Sequence, residues 1–230
     1  MLVLAIDTST ADLIVGLVRT DATAEGERKL VGQVIVEDCR KHNELLTPTT
    51  LSLLADAGLR LADVDAIVVG CGPGPFTGLR VGMATAAAFG DALGIPVFGV
   101  CSLDAAAYGI EGTVLVASDA RRKEVYWAAY DGGRRVAGPD VIRPEQLDPQ
   151  AGVKGFDTVS ITPSLASRLP QALKDCTLVH TRPLPLNLVA VADLSATPGP
   201  LVPLYLRRPD ATEPALRPQS PAIPKVDFDQ

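Results

Sequence analysis

Two stretches of this chain, 112 residues apart, read as one hairpin written twice, and that repetition limits the fold more than any other feature. Residues 2–6 form a β-rich apolar run ending at Asp7, and a second apolar run starts at Leu13 after a polar turn. "TVLVASD" ends in the same way at Asp119, and "VYWAAY" starts at Val125. Ala5, Asp7, Asp12 and Leu13 thus match Ala117, Asp119, Glu124 and Val125 at one constant offset. Two copies in a single register point to a duplicated α/β domain, the alternative being two hairpins that are alike by chance.

The rest of the chain fills in the first copy better than the second. A third strand is expected over 30–37, then a helix over 43–57 that Pro48 would kink and Gly58 caps. Residues 65–70 and 96–100 lack alternation, as strands buried on both faces do. Between them a helix is expected over 77–93, with Thr77 as N-cap and Gly94 as C-cap. In the second half only 158–170 (a strand and a short helix) and the strand in "CTLVHTR" stand out. Apolar residues make up 47 % of the chain but aromatics only 4 %, so the core must be built from Ala, Val, Leu and Ile. The expected division is 1–108 for the first domain, 109–202 for a smaller second one, and 203–230 for a C-terminal segment. Eight of the 19 prolines fall in the last 33 residues, which suggests a mobile tail from Ala211 onward.

"GCGPGPFTGLR", residues 70–80, has the glycines of a phosphate loop without its donors. A Walker loop needs Lys and Ser or Thr after its last glycine, where this chain has Leu79 and Arg80. As a dinucleotide fingerprint its third glycine is displaced, and two amides are proline nitrogens. A rigid strand-to-helix turn is the better reading. The helix that follows has only Arg80 and Asp91 as charges among many Gly and Ala residues, and the helix before it is nearly as charge-poor. A helix apolar all round is covered on both sides. The outer cover is either a protein partner or homodimer mate, with the glycines serving that close approach, or the chain's own second domain or tail.

Other function classes have little support. A net charge of −6 gives no general attraction to a polyanion. Cys39, Cys71, Cys101 and Cys176 are scattered without metal-ligand spacing, as in a reduced cytoplasmic protein. The first residues carry no cationic leader, and no run is long enough to span a membrane, so a cytoplasmic location and no membrane partner are expected. His42 and His180 are isolated, and Ser9 and Ser118 lack a nucleophile elbow, which leaves a peptidase weakly supported. Asp7 and Asp119 end matching strands and form a candidate vestigial nucleotide site in an interdomain cleft, or are turn formers; an actin-like ATPase or phosphotransferase is the rival function. Arg121, Arg122 and Lys123 form either a solvated turn or a contact to RNA or an acidic partner.

"LAIDTST", "HNELLTP", "GCGPGPFTGLRVGMATA" and "PLYLRRPDA", in this order, resemble the TsaB (YeaZ) family, part of the wider glycoprotease-like group. The resemblance covers about the first 110 residues and returns at 203–211. It implies an actin-like (ASKHA, ribonuclease H-like) α/β fold of tandem duplicated domains, the second reduced. It also implies an accessory role in making threonylcarbamoyladenosine in tRNA, beside a catalytic paralogue, TsaD, and a complex ATPase, TsaE. The protein would form a homodimer when alone and reach tRNA only through the complex. TsaD holds its metal with two histidines of an H-M-E-G-H segment; the matching residues here are Ser102 to Ala106, so no metal, cofactor or catalytic residue is expected. The implied partner surface consists of His42, Glu44, Leu45 and Leu46 on one helix, with Phe76, Thr77, Arg80, Val81, Ala84, Thr85 and Ala88 on the next.

Overall fold

A computed structural model describes residues 1–21 and 27–207. The expected mobile tail from Ala211 lies outside the described residues.

The two hairpins are real, but their pairing differs by one residue: Asp7 faces Ile14, whereas Asp119 faces Val125. β1 (Leu2–Asp7) pairs antiparallel with β2 (Leu13–Arg19), as β6 (Thr113–Asp119) does with β7 (Val125–Asp131). β2 and β7 differ by 112 at both ends. The offset fails beyond them because the polar loop after β2 shrinks to Gly132 and Gly133 after β7.

The first sheet adds β3 (Lys29–Val36), β4 (Ala66–Gly70) and β5 (Val97–Val100), in the order β3-β2-β1-β4-β5. The second adds β8 (Arg134–Ile142), β9 (Thr158–Ile161) and β10 (Thr177–Val179), in the order β10-β9-β6-β7-β8. Read from the other edge, this is the same topology, with β1·β4 and β6·β9 parallel at each centre. The chain is a tandem, duplicated, actin-like α/β protein.

α1 (His42–Asp56) and α2 (Phe76–Leu93) lie side by side on one face of the first sheet. Leu46, Leu53, Leu54, Met83 and Ala86 meet Leu4, Ile6, Leu13 and Val15 there. α1 runs through Pro48 and closes on Gly58 at φ +69, where the Gly58 and Leu59 amides donate to the Ala55 and Leu54 carbonyls. α2 starts earlier than expected. Pro75 (φ −60, ψ 133) occupies the N-cap position without a side-chain cap, so Thr77 is not the cap but lies in the first turn. Proline's fixed φ sets the helix start in its place. Gly94 ends the helix at φ 66, as expected.

The other faces of the two sheets are covered by exchange. α3 (Ser102–Ala107) follows the first sheet in sequence but packs Leu103, Ala106 and Ala107 on Val114, Val116, Tyr126 and Tyr130 of the second. α5 (Pro185–Val191) follows the second sheet and packs Leu188 and Val189 on Val3, Ala5, Val18 and Val68 of the first. A Cβ on Gly16 would lie 2.3 Å from Pro185, so this seat requires glycine. Among the described residues the second sheet's remaining face has no long helix, only α4 (Gln171–Lys174) and 3-10 turns at Pro144–Gln146 and Pro163–Arg168.

Candidate interaction face and interdomain cleft

Gly74, just before α2, and Gly78 and Gly82 within it face inward. Added Cβ atoms on Gly74, Gly78 and Gly82 would lie 2.2 Å from the Ser9 carbonyl oxygen, 2.5 Å from the Thr8 carbonyl oxygen and 2.3 Å from Thr8 Oγ1. Thr8 Oγ1 donates to the Gly78 carbonyl at 2.8 Å. The expectation that these glycines let a partner approach is therefore corrected: they seat α2 on the β1–β2 turn of the same chain, because helical glycines four apart line one face.

Under that turn Asp7 is fully buried, accepting from Ser9 N at 2.9 Å, Ser9 Oγ at 2.7 Å and Ser102 Oγ at 2.6 Å. Burial raises its pKa above the ordinary carboxylate value, against the lowering by the Ser102 and Ser9 hydrogen bonds and by His42. A Cβ on Gly70 would fall 1.8 Å from Asp7 Oδ2, so the strand end is closed as well. Asp7 thus belongs to an internal network and not to a cleft wall, which corrects the paired nucleotide site.

The cleft between the sheets exists, about 390 Å³ in volume, with Asp119 among its lining residues beside Ser9, Ser102, Ser118, Ser160 and Thr181. Arg182 closes one side: its Nε lies 2.9 Å from Asp12 Oδ2 and its guanidinium donates to Glu37 Oε1 at 2.7 Å. The Nε approach is an ion pair without hydrogen-bond alignment. This arginine is held by two carboxylates, which weakens any phosphate reading of the cleft. The matching acid in the second hairpin, Glu124, pairs with Arg207. His180 sits in the cleft with its pKa lowered, first by burial and then by Arg182. The other histidine, His42, has Nε2 3.3 Å from the Asp12 carbonyl oxygen. Burial, with Asp7 beside one and Asp104 beside the other, pushes the Cys71 and Cys101 thiols up to about 11, away from thiolate chemistry.

The outer face of the helices is mixed. Thr77, Ala84 and Ala88 are exposed, with Val81 and Thr85 half-buried beside them; Glu44 is exposed and paired with Lys41 at 2.9 Å, and Leu45 and His42 are half-buried. Leu46 is 1 % exposed, a core residue and not a contact, because its helical position faces the sheet. The Arg80 guanidinium carbon lies over the Phe76 ring, 3.9 Å from its centroid, and the Tyr205 ring stacks with Phe76 at 5.0 Å. Arg80 Nε donates to Tyr205 Oη at 3.2 Å. The segment 201–207 therefore covers the start of α2, fixed also by the Leu204 amide donating to the Cys71 carbonyl at 2.9 Å. Tyr205 and Arg182 escaped sequence reasoning about sites. The only signal for Tyr205 was its place in "PLYLRRPDA", in a chain where aromatics are scarce.

Two similar sheets with exchanged helices, an internalised strand-end aspartate and a helical outer face define an actin-like two-lobed α/β protein. The family described as "TsaD: tRNA N6-adenosine threonylcarbamoyltransferase" matches residues 30–179, well over half of the chain. An uncharacterized protein of Mycobacterium tuberculosis is 51 % identical over 210 residues, 91 % of this chain and 93 % of the relative. "tRNA threonylcarbamoyladenosine biosynthesis protein TsaB" of Escherichia coli is 36 % identical over 135 residues, about half of each chain (56 % and 55 %). The structure of YeaZ from Pseudomonas aeruginosa superposes with a TM-score of 0.65 at 30 % identity, covering 83 % of this chain and 89 % of that one. The chain belongs to this TsaD-type family, as a TsaB (YeaZ)-type member. Among the described residues no helix is long and apolar enough to cross a membrane.

Proposed function

We propose that this chain is the non-catalytic subunit required for threonylcarbamoylation of the adenosine next to the anticodon, in tRNAs reading codons that begin with A. It binds and stabilises the metal-containing catalytic paralogue, TsaD, and through that complex meets TsaE and tRNA. When alone it pairs with a second copy by the same surface.

The observation that carries this reading is the outer face of α1 and α2. Thr77, Ala84 and Ala88 keep α2 low and uncharged there, and Leu51 of α1 stands 47 % exposed. Short side chains let another helix pack at close range, and apolar side chains exposed on a helical face favour association. Ser102, at the position of the first metal-binding histidine in the resemblance, has its hydroxyl committed to Asp7.

Co-expression with the paralogue tests the reading. Ala84→Arg places a long charge on an exposed site, so the circular dichroism spectrum should be unchanged while co-purification is lost. Pairing equal to that of the parent would overturn the proposed interface.

A further inference from the structure

A second pocket, separate from the cleft, lies between the C-terminal segment and the turn joining β6 to β7. Its volume is about 370 Å³, within the range of roughly 300–1,000 Å³ usual for small-molecule sites. Phe76, Tyr126 and Tyr205 contribute aromatic surface, and Arg121, Arg122 and Arg207 line it as cations. Aromatics are 4 % of this chain, so three in one pocket is a marked local enrichment.

The parts are held in place from different directions. Tyr126 is 6 % exposed, and its hydroxyl donates to the Gly74 carbonyl at 3.4 Å. Arg207 donates to the Ala120 carbonyl at 3.0 Å and pairs with Glu124. Tyr205 is fixed by Phe76 and Arg80, yet keeps 39 % of its surface open. Arg121, Arg122 and Lys123 stand in succession at φ 59, 53 and 65, a left-handed run that non-glycine residues adopt only under strain. Strain of this kind gathers at functional sites, and here it accompanies Arg121 and Arg122, which line the pocket beside the aromatic wall.

We propose that this pocket binds a nucleotide, with the base stacked on aromatic surface that includes Tyr205 and its phosphate held by Arg121 and Arg122. Rings beside arginines are the means by which proteins hold unpaired bases, each base having a π-face and each linkage a charge. A strand of RNA and a free mononucleotide share this chemistry. An acidic peptide would use the arginines without needing the rings. With a net charge of −6, the isolated chain should bind weakly, so the contact is best read at low salt and adds to whatever holds RNA in a larger assembly.

The test uses the full chain with a fluorescein-labelled single-stranded RNA carrying 4-thiouridine, and AMP as the free nucleotide. Photo-crosslinks should fall on peptides spanning 121–126 and 205–207. Tyr205→Ala should weaken binding roughly tenfold and Tyr205→Phe should restore it, since the ring carries the stacking. The double substitution Arg121→Glu with Arg122→Glu should weaken binding further and flatten the salt dependence. Displacement by AMP at concentrations comparable to the RNA assigns the site to free nucleotides, and failure of AMP to displace assigns it to a strand; either supports the pocket. Crosslinks elsewhere, absence of binding to both probes, or loss by the charge reversals with Tyr205→Ala unaffected, as for an acidic peptide, would overturn it. Ala84→Arg should leave RNA binding intact and the charge reversals should leave co-purification intact, so this proposal and the subunit reading fail separately.

Discussion

The two halves of the molecule have the same sheet and different coverings. In the first, 15-residue and 18-residue helices occupy the two crossovers of the parallel strands. In the second, the same crossovers hold short 3-10 turns and the four-residue α4, and Leu173 of α4 closes the core together with Leu147, Phe156 and Leu169 from the connecting segments. A five-stranded sheet therefore tolerates reduction of its crossovers as long as the apolar face stays dry. Among the described residues the long helices lie on the first sheet and not on the second, so the proposed association face belongs to the first half alone.

The largest test of that comparison targets the exchange of end helices. Leu188 of α5 is fully buried against the first sheet, so Leu188→Ala should cost about 2–5 kcal/mol. Hydrogen exchange should quicken first in β1 and β2; loss of protection confined to β9 and β10 would break the picture of crossed covering. A smaller effect separates glycines of the two halves. Gly78→Ala would ordinarily improve a helix by up to about 1 kcal/mol, but its Cβ meets the Thr8 carbonyl, so a loss of about 1–3 kcal/mol is expected. Gly155→Ala, with no atom near its Cβ, should leave the melting temperature within error. The smallest effect is titration of His180, whose pKa is lowered in the folded state. Below about 6.5 the unfolded chain takes up a proton that the native one resists, so stability falls as pH drops from there through the depressed native value. His180→Gln should reduce that slope slightly in melting curves from pH 7.5 to 5, the ring being partly solvated and close to Arg182, Asp12 and Glu37. An unchanged slope would remove His180 as its source.

Much of the first half was legible because its elements follow local rules: apolar runs without alternation for β4, a left-handed glycine after each long helix, and the hairpin offset. β8 was not, since "RRVAGPDVI" is polar, contains Gly138 and Pro139, and forms an edge strand. α3 and α5 were missed for another reason. They are six and seven residues long, and the surface that makes them helical belongs to the opposite sheet, which no local window contains. The site was half legible. Ala84 and Ala88, assigned through the resemblance, are exposed, but composition could not tell which side of α2 its glycines faced, and Leu46 was assigned to the wrong side of α1.

The crossed placement of α3 and α5 explains why a reduced second half persists at all. Cutting the chain down to its better-furnished lobe would unroof β1 and β2 and deprive α3 of a floor in the same stroke. Each lobe is held hostage by the other, so shortening can proceed only in the crossovers between strands, which is where the second lobe is pared.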